Sequence, residues 1–332
     1  SNGLLFQGET DAFIVDYDTN GQAINLVYSG ATVGWTPASD IVSALEPVAP
    51  STQKAIFGYG AAASKVSLTN LVSSSGVVAA DTTGVGTARG DLAAAGYGSD
   101  KAIFGYGRTG SSLSLTNLVN NSGVVAADVS GVGTARYYLA AAGYGGDKAI
   151  FGYGEGAARV SITNLVNNLG VVATDTTGVG TGRNGLAAAG YGDNKAIFGY
   201  GEGSLLSMTN LVSNLGVVAA DVTGVGTARG SLAAASYGTD TAIFGYGNPG
   251  PSSLTNLVNN LGVVAADVTG VGTARLSLAA TNYGGDKAIF GYGSGNVSMT
   301  NLVNNSGVVA ADVTGVGTGR SGLAATGFSY SA

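Results

Sequence analysis

The chain has 332 residues, with 14 Lys and Arg against 20 Asp and Glu, a net charge of −6, and neither His nor Cys. That balance argues against nucleic acid, whose phosphates need clustered cations, and it removes disulfides, thiolate nucleophiles and the commonest general base and zinc ligand. At 45% hydrophobic and 10% charged, the composition is that of a folded chain. No run approaches the length of an apolar span, so no membrane insertion is expected. No basic segment followed by an apolar one marks a secretory leader either. Neither a metal nor a cofactor is expected.

Residues 1–46 read as a small attachment segment. Ala12 to Tyr17 (AFIVDY) and Ala23 to Ser29 (AINLVYS) are rich in β-branched and aromatic residues, and Asn20-Gly21 between them predicts a β-hairpin. Gly30 to Pro37 carries the single Trp. The Pro-containing stretch Glu46 to Pro50 reads as stiff, so residues 47–53 are expected to be a linker.

From Lys54 to the end, residues 54–332, the chain repeats itself. The heptapeptide KAIFGYG begins at 54, 101, 148, 195, 241 (with Thr in place of Lys) and 287. A fixed period of this length calls for a repeat architecture. Each unit has four apolar stretches divided by Gly, Asn, Asp and Ser, as in Lys101 to Gly107, Leu113 to Val119, Val124 to Val129 and Leu139 to Tyr144. Four antiparallel strands per unit is the layout of a β-propeller blade. The LAAA stretches at Leu92, Leu139, Leu186, Leu232, Leu278 and Leu323 suit the innermost strand, where only small side chains fit.

The ends are out of phase in a useful way. The first KAIFGYG has no LAAA before it, and the last LAAT has no KAIFGYG after it. Pairing Leu323 to Tyr330 beside Lys54 to Gly60 would complete both, leaving no open sheet edge. The expected fold is all-β: a six-bladed β-propeller of four-stranded antiparallel blades, closed by the C-terminal strand.

The run Thr-Ala-Arg, Leu-Ala-Ala-Ala, a Gly-containing turn and KAIFGYG resembles the core of a kelch repeat, with Arg136 and Gly105/Gly107 in the corresponding places, although the paired Gly-Gly and fourth-strand Trp of kelch are missing. The wording KAIFGYG, LTNLV and GVVAADxTGVGTAR, with INLVYSGATVGW at Ile24 to Trp35, is similar to repeat modules of tailed-phage virion and tail-fibre proteins. That resemblance implies a virion surface protein, or otherwise a secreted or cell-surface one. It would join other virion proteins through the N-terminal segment, bind cell-surface glycan, and assemble as a homo-oligomer.

Every unit carries an Asp and an Arg eight residues apart: Asp81 and Arg89, Asp128 and Arg136, Asp175 and Arg183, Asp221 and Arg229, Asp267 and Arg275, Asp312 and Arg320. Identical placement in six units favours structural ion pairs between strands or blades over anion or sugar sites. The repeated Thr-Asn (Thr69-Asn70 through Thr300-Asn301) and the Tyr of each unit invite a lectin reading, but filling inter-blade gaps and satisfying backbone groups explains them more simply. Gly84 to Arg89 lacks GxGxxG spacing and is read as turn chemistry. Outside the frame stand Asp91, Glu155 and Glu202, too few and too scattered for glycosidase chemistry to be favoured.

The units differ in two places: the loops after KAIFGYG and the two residues after each repeated Arg. In a four-stranded blade these emerge on one face, and constant scaffold with variable loops is the arrangement of a recognition surface. The expected ligand-binding face therefore bears Arg108, Tyr137, Tyr138, Glu155, Arg159, Glu202 and Asn248. The expected role is a non-enzymatic binding or display module. The alternatives are a purely structural virion or filament subunit and a glycan-cleaving enzyme.

Overall fold

The computed structural model describes residues 53–329 and, before them, four short strands. The chain divides into two compact units, Ser1–Pro50 and Ser51–Ala332.

In the first unit β1 (Leu4–Phe6) pairs with β2 (Phe13–Val15), and β3 (Leu26–Tyr28) pairs with β4 (Trp35–Pro37), both antiparallel. Among the described residues the expected pairing of β2 with β3 does not occur; each pairs with its other neighbour. The connections 7–12 and 29–34 are shorter than 16–25 and cost less entropy to close. The Asn20-Gly21 turn lies outside the described residues.

In the second unit every described element is a strand, and the strands form six three-stranded antiparallel sheets in a propeller-like arrangement. Five sheets run in chain order. They are β7 (Ala93–Tyr97), β8 (Lys101–Gly105) and β9 (Thr116–Val119); β10 (Ala140–Tyr144), β11 (Lys148–Gly152) and β12 (Thr163–Val166); β13 (Ala187–Tyr191), β14 (Lys195–Gly201) and β15 (Leu206–Val212); β16 (Ala233–Tyr237), β17 (Thr241–Gly247) and β18 (Ser252–Val258); and β19 (Ala279–Tyr283), β20 (Lys287–Gly291) and β21 (Thr300–Val303). The remaining sheet is built from both ends: β22 (Ala324–Phe328) lies beside β5 (Lys54–Gly58), which pairs with β6 (Thr69–Val72). Its register, Ala324 opposite Gly58 through Phe328 opposite Lys54, repeats that of Ala93 opposite Gly105 through Tyr97 opposite Lys101.

The middle strands read as continuous apolar runs because both faces are covered. In β8 every residue from Ala102 to Gly105 is buried. Between sheets, Tyr106 meets Phe151 with ring centroids 5.1 Å apart, and the same pair recurs from Tyr59–Phe104 to Phe57–Tyr292. Gly105 is required here, since a Cβ on it would lie 2.7 Å from Cζ of Phe151. The inner strands pack against one another in the order β7, β10, β13, β16, β19, β22, and β22 also packs against β7. Together they line a cavity of about 430 Å³ walled largely by Ala and Gly. The leucines that precede them, such as Leu186, do not line it; Leu186 is packed between sheets with Ala196, Phe198 and Tyr153. The axial position expected for the whole LAAA stretch thus belongs to its small residues alone, because the bulky one finds apolar partners only in the gap.

At one end, backbone N–H groups of Gly98, Gly145, Gly192 and Gly238 donate to the carbonyls of Asp147, Asn194, Asp240 and Asp286 in the next hairpin. Gly284 donates to Gln53 and Ser329 to Asp100, so the series returns to its start.

The expected fourth strand is not formed as a strand. Val78 bridges Val72 and Thr82 bridges Thr69, one residue out of register with each other. Between them the backbone keeps one bond, from the Ala79 N–H to the Leu71 carbonyl (2.8 Å), and the side chain of Asn70 takes the rest: its Nδ2 donates to the Ala79 carbonyl (3.0 Å) and to Asp81 (2.9 Å). A side-chain amide that competes for backbone groups breaks the pairing locally. Every unit repeats it.

Candidate functional site

Two consecutive left-handed residues end each middle strand, for instance Tyr106 (φ 63) and Gly107 (φ 93). A non-glycine residue in this region is strained, and here packing holds it. The Tyr106 ring is fully buried, its hydroxyl donates to the Val132 carbonyl (3.1 Å), and the Arg136 guanidinium lies over it at 4.4 Å from the centroid.

The repeated arginines are buried, at 0–1% exposure. They do not face the Asp of their own unit. Arg89 leads into β7 and so belongs to the next sheet, where its nearest carboxylate is Asp128 at 3.9 Å; Arg136 likewise reaches Asp175 and Arg320 reaches Asp81. The shorter contacts are neutral: Arg89 donates Nε to the Tyr106 carbonyl (2.8 Å) and a terminal nitrogen to Asn117 Oδ1 (2.7 Å). The Asp serves mainly as an acceptor for the neighbouring unit, as Asp128 does for the Thr87 N–H and hydroxyl (2.6 Å to the hydroxyl). Burial pulls the Asp128 carboxyl upward, but the bonds from Thr87 and Asn117 and the field of Arg89 outweigh it and hold it below its ordinary value. The same holds for Asp81, Asp175, Asp221, Asp267 and Asp312. These twelve residues form the frame that positions what lies beyond.

Beyond the Tyr-Gly pair the first loop residue is bridged to the residue after the repeated Arg: Arg108 with Gly90, Glu155 with Tyr137, Glu202 with Asn184, Asn248 with Gly230, and Ala61 with Ser321. This register brings the variable positions together at one end. The next residues, Asp91, Tyr138, Gly185, Ser231, Ser277 and Gly322, all have φ between 50 and 59. Each donates its N–H to its counterpart's carbonyl in an adjacent unit: Tyr138 to Asp91, Gly185 to Tyr138, Ser231 to Gly185, Ser277 to Ser231, Gly322 to Ser277 and Asp91 to Gly322.

The expected face residues stand around this circuit. Arg108 donates Nε to Asp91 Oδ2 (2.7 Å) and a terminal nitrogen to the Tyr138 hydroxyl (3.0 Å), and its guanidinium lies 4.2 Å from the Tyr137 centroid and 4.9 Å from that of Tyr138. Burial disfavours the Arg108 cation, yet Asp91 outweighs it and its pKa moves up. Glu155 accepts from Asn184 Nδ2, and Asn184 Oδ1 accepts from Arg159 (3.2 Å). Glu202 accepts from the Ser231 hydroxyl (2.8 Å). Burial first, and then Asp91 and Glu202, push the Tyr138 hydroxyl pKa up against the pull of Arg108. That places the Tyr138 hydroxyl within the field of Glu202. Asn248 joins through its backbone alone, exchanging hydrogen bonds with Gly230.

Four further residues at the variable positions of this end, Lys65, Asp91, Asn184 and Ser231, were not among those expected to bind a ligand. Asp91 is the hub, since Lys65 Nζ also reaches its Oδ2 at 3.4 Å. The signal for it was its place outside the repeated frame. Tyr137 and Tyr138, with centroids 5.2 Å apart, offer partly exposed aromatic surface beside carboxylates and hydroxyls. Such a set can stack on a ligand and accept its hydrogen bonds. Among the described residues no group of three or more acidic side chains gathers as a metal site. Neither a protein-family model nor a curated protein matches the chain.

Proposed function

We propose that residues 54–332 form a six-bladed β-propeller, closed by β22 beside β5, that works as a non-enzymatic binding module. In this reading it is a virion fibre or decoration protein whose N-terminal segment joins other virion proteins and whose variable end adheres to host-surface glycan. One observation carries it: the loop positions that differ most among nearly identical units are gathered at one end, where Tyr137, Tyr138, Arg108, Glu155 and Glu202 surround a circuit of backbone bonds. A recognition surface is built in this way, from variable side chains on a repeated scaffold.

The test is a glycan array with the whole chain and with Tyr137→Ala/Tyr138→Ala. Binding by the parent that the double variant loses, with unchanged melting, supports the reading; no binding, or equal binding by both, overturns it.

A purely structural subunit is the second reading. Leu169, Leu215 and Leu261 are 73%, 76% and 70% exposed on three consecutive units, where the other units carry Ser. Exposed apolar side chains of this kind favour a protein neighbour. A map of the assembly that buries these leucines, or the variable end, against sister chains would establish it. Glycan cleavage is the third reading, and activity that survives Glu155→Gln with Glu202→Gln would exclude those acids from it.

A further inference from the structure

The cations of this chain can be placed completely. The fourteen Lys and Arg divide into the six buried frame arginines, the five lysines that open middle strands (Lys54, Lys101, Lys148, Lys195 and Lys287), and Lys65, Arg108 and Arg159 at the variable end. The five lysines lie at the opposite ends of their strands. Only the last three could meet a ligand beside Tyr137 and Tyr138.

Each of the three is already engaged. Lys65 and Arg108 share Asp91, whose side chain is only 8% exposed. Arg108 is also covered by both tyrosine rings. Arg159 donates to Asn184, which in turn donates to Glu155. A ligand carboxylate, phosphate or sulfate needs charge-assisted donors to replace its lost hydration. Taking Arg108 for that purpose would leave the buried Asp91 carboxylate with only the longer contact of Lys65 (3.4 Å), which is unfavourable.

The acceptors are placed differently. Glu202 accepts one hydrogen bond from Ser231 and lies across Gly185 and Gly230, where a Cβ would come within 3.2 Å and 2.1 Å of its side-chain carbons. The two glycines make room for it beside the circuit of backbone bonds. A carboxylate so placed accepts hydroxyl donors and repels anions.

We infer that the ligand of the variable end is a neutral polyhydroxylated glycan, that Glu202 accepts its hydroxyls, and that glycans bearing carboxylate, phosphate or sulfate are rejected. This rests on the glycan-binding reading above.

The experiment measures binding of the whole chain to dextran, mannan and galactan against hyaluronan, polysialic acid and a teichoic acid, with Glu202→Gln alongside and melting recorded for both proteins. The expected result is binding to a neutral polymer only, weakened about tenfold in Glu202→Gln at unchanged melting, as for loss of one charge-assisted hydrogen bond. Preferential binding of an acidic polymer overturns the inference and leaves the glycan-binding reading standing. Neutral binding untouched by Glu202→Gln overturns the role of Glu202. Binding to no polymer of either class overturns the glycan-binding reading and this inference with it.

Discussion

Arg320 donates Nε to the backbone carbonyl of Tyr59, 261 residues away in sequence, at 2.8 Å. Arg89, Arg136, Arg183 and Arg275 make the same bond to Tyr106, Tyr153, Tyr200 and Tyr292, each 17 residues ahead. The two ends of the repeat are therefore held by the contact that joins its internal units. Arg320 also donates to Asn70 Oδ1 (2.7 Å) and lies 4.5 Å from the Tyr292 ring centroid.

Arg320→Ala should cost about 3–5 kcal/mol, because it leaves the Asn70 and Tyr59 acceptors unpaired in a buried site and Asp81 without its cation. Arg320→Lys should be intermediate, since an ammonium cannot reproduce the planar fork. Urea unfolding of the three proteins measures this, and equal stability of all three would show that the contact is incidental.

Deleting residues 322–332 removes β22 and leaves β5 with an open edge and without the apolar contact of Phe328. The truncated chain is expected to aggregate or melt far below the parent. A synthetic peptide of the missing residues should restore part of the loss if the pairing is responsible.

Gly152→Ala places a methyl 2.6 Å from Cζ of Phe198. Overpacking of this kind costs about 1–3 kcal/mol. Adding Phe198→Leu should recover part of it in a double-mutant cycle, whereas simple additivity would refute the clash.

Acid and alkali should each remove a defined contribution. The six frame carboxyls titrate below their ordinary value in the folded chain, so their contribution is complete above about pH 4, the unfolded value, and is lost as pH falls through the lowered one. Tyr106, Tyr153, Tyr200 and Tyr246 are pushed up to about 12 by burial, against the pull of the arginine over each ring. Their contribution is complete below about pH 10, the unfolded value, and is lost as pH rises from there through about 12. Melting temperature followed across the pH range should show a plateau between these limits, and the acid limb should become shallower in Asp128→Asn.

The repeated unit, the antiparallel sheets and the pairing of the last apolar segment with the first were legible because KAIFGYG and LAAA are offset by a fixed phase. The partner of each Arg was not. Counting within a unit pairs Asp81 with Arg89, but Arg89 precedes the inner strand of the following sheet and is handed on to Asp128. The fourth strand was misread because Val77 to Thr82 has strand composition, while what breaks it is a side chain elsewhere, the Asn70 amide. At the variable end, the loop positions follow from counting turns, but Asp91 as a shared anchor for Lys65 and Arg108 depends on a cross-unit approach that spacing alone does not encode.

Phe328 lies opposite Lys54 as Tyr97 lies opposite Lys101, and the latter pair is joined through Gly98, Ser99 and Asp100. The break between the two termini of the repeat thus occupies a hairpin that exists intact elsewhere in the same molecule. The point at which the repeat opens is then not a demand of its architecture: joining Phe328 to Lys54 through a copied Gly-Ser-Asp, with residues 1–53 and 329–332 left out, and cutting instead at Gly145-Gly146 should yield a permuted repeat with the same sheets.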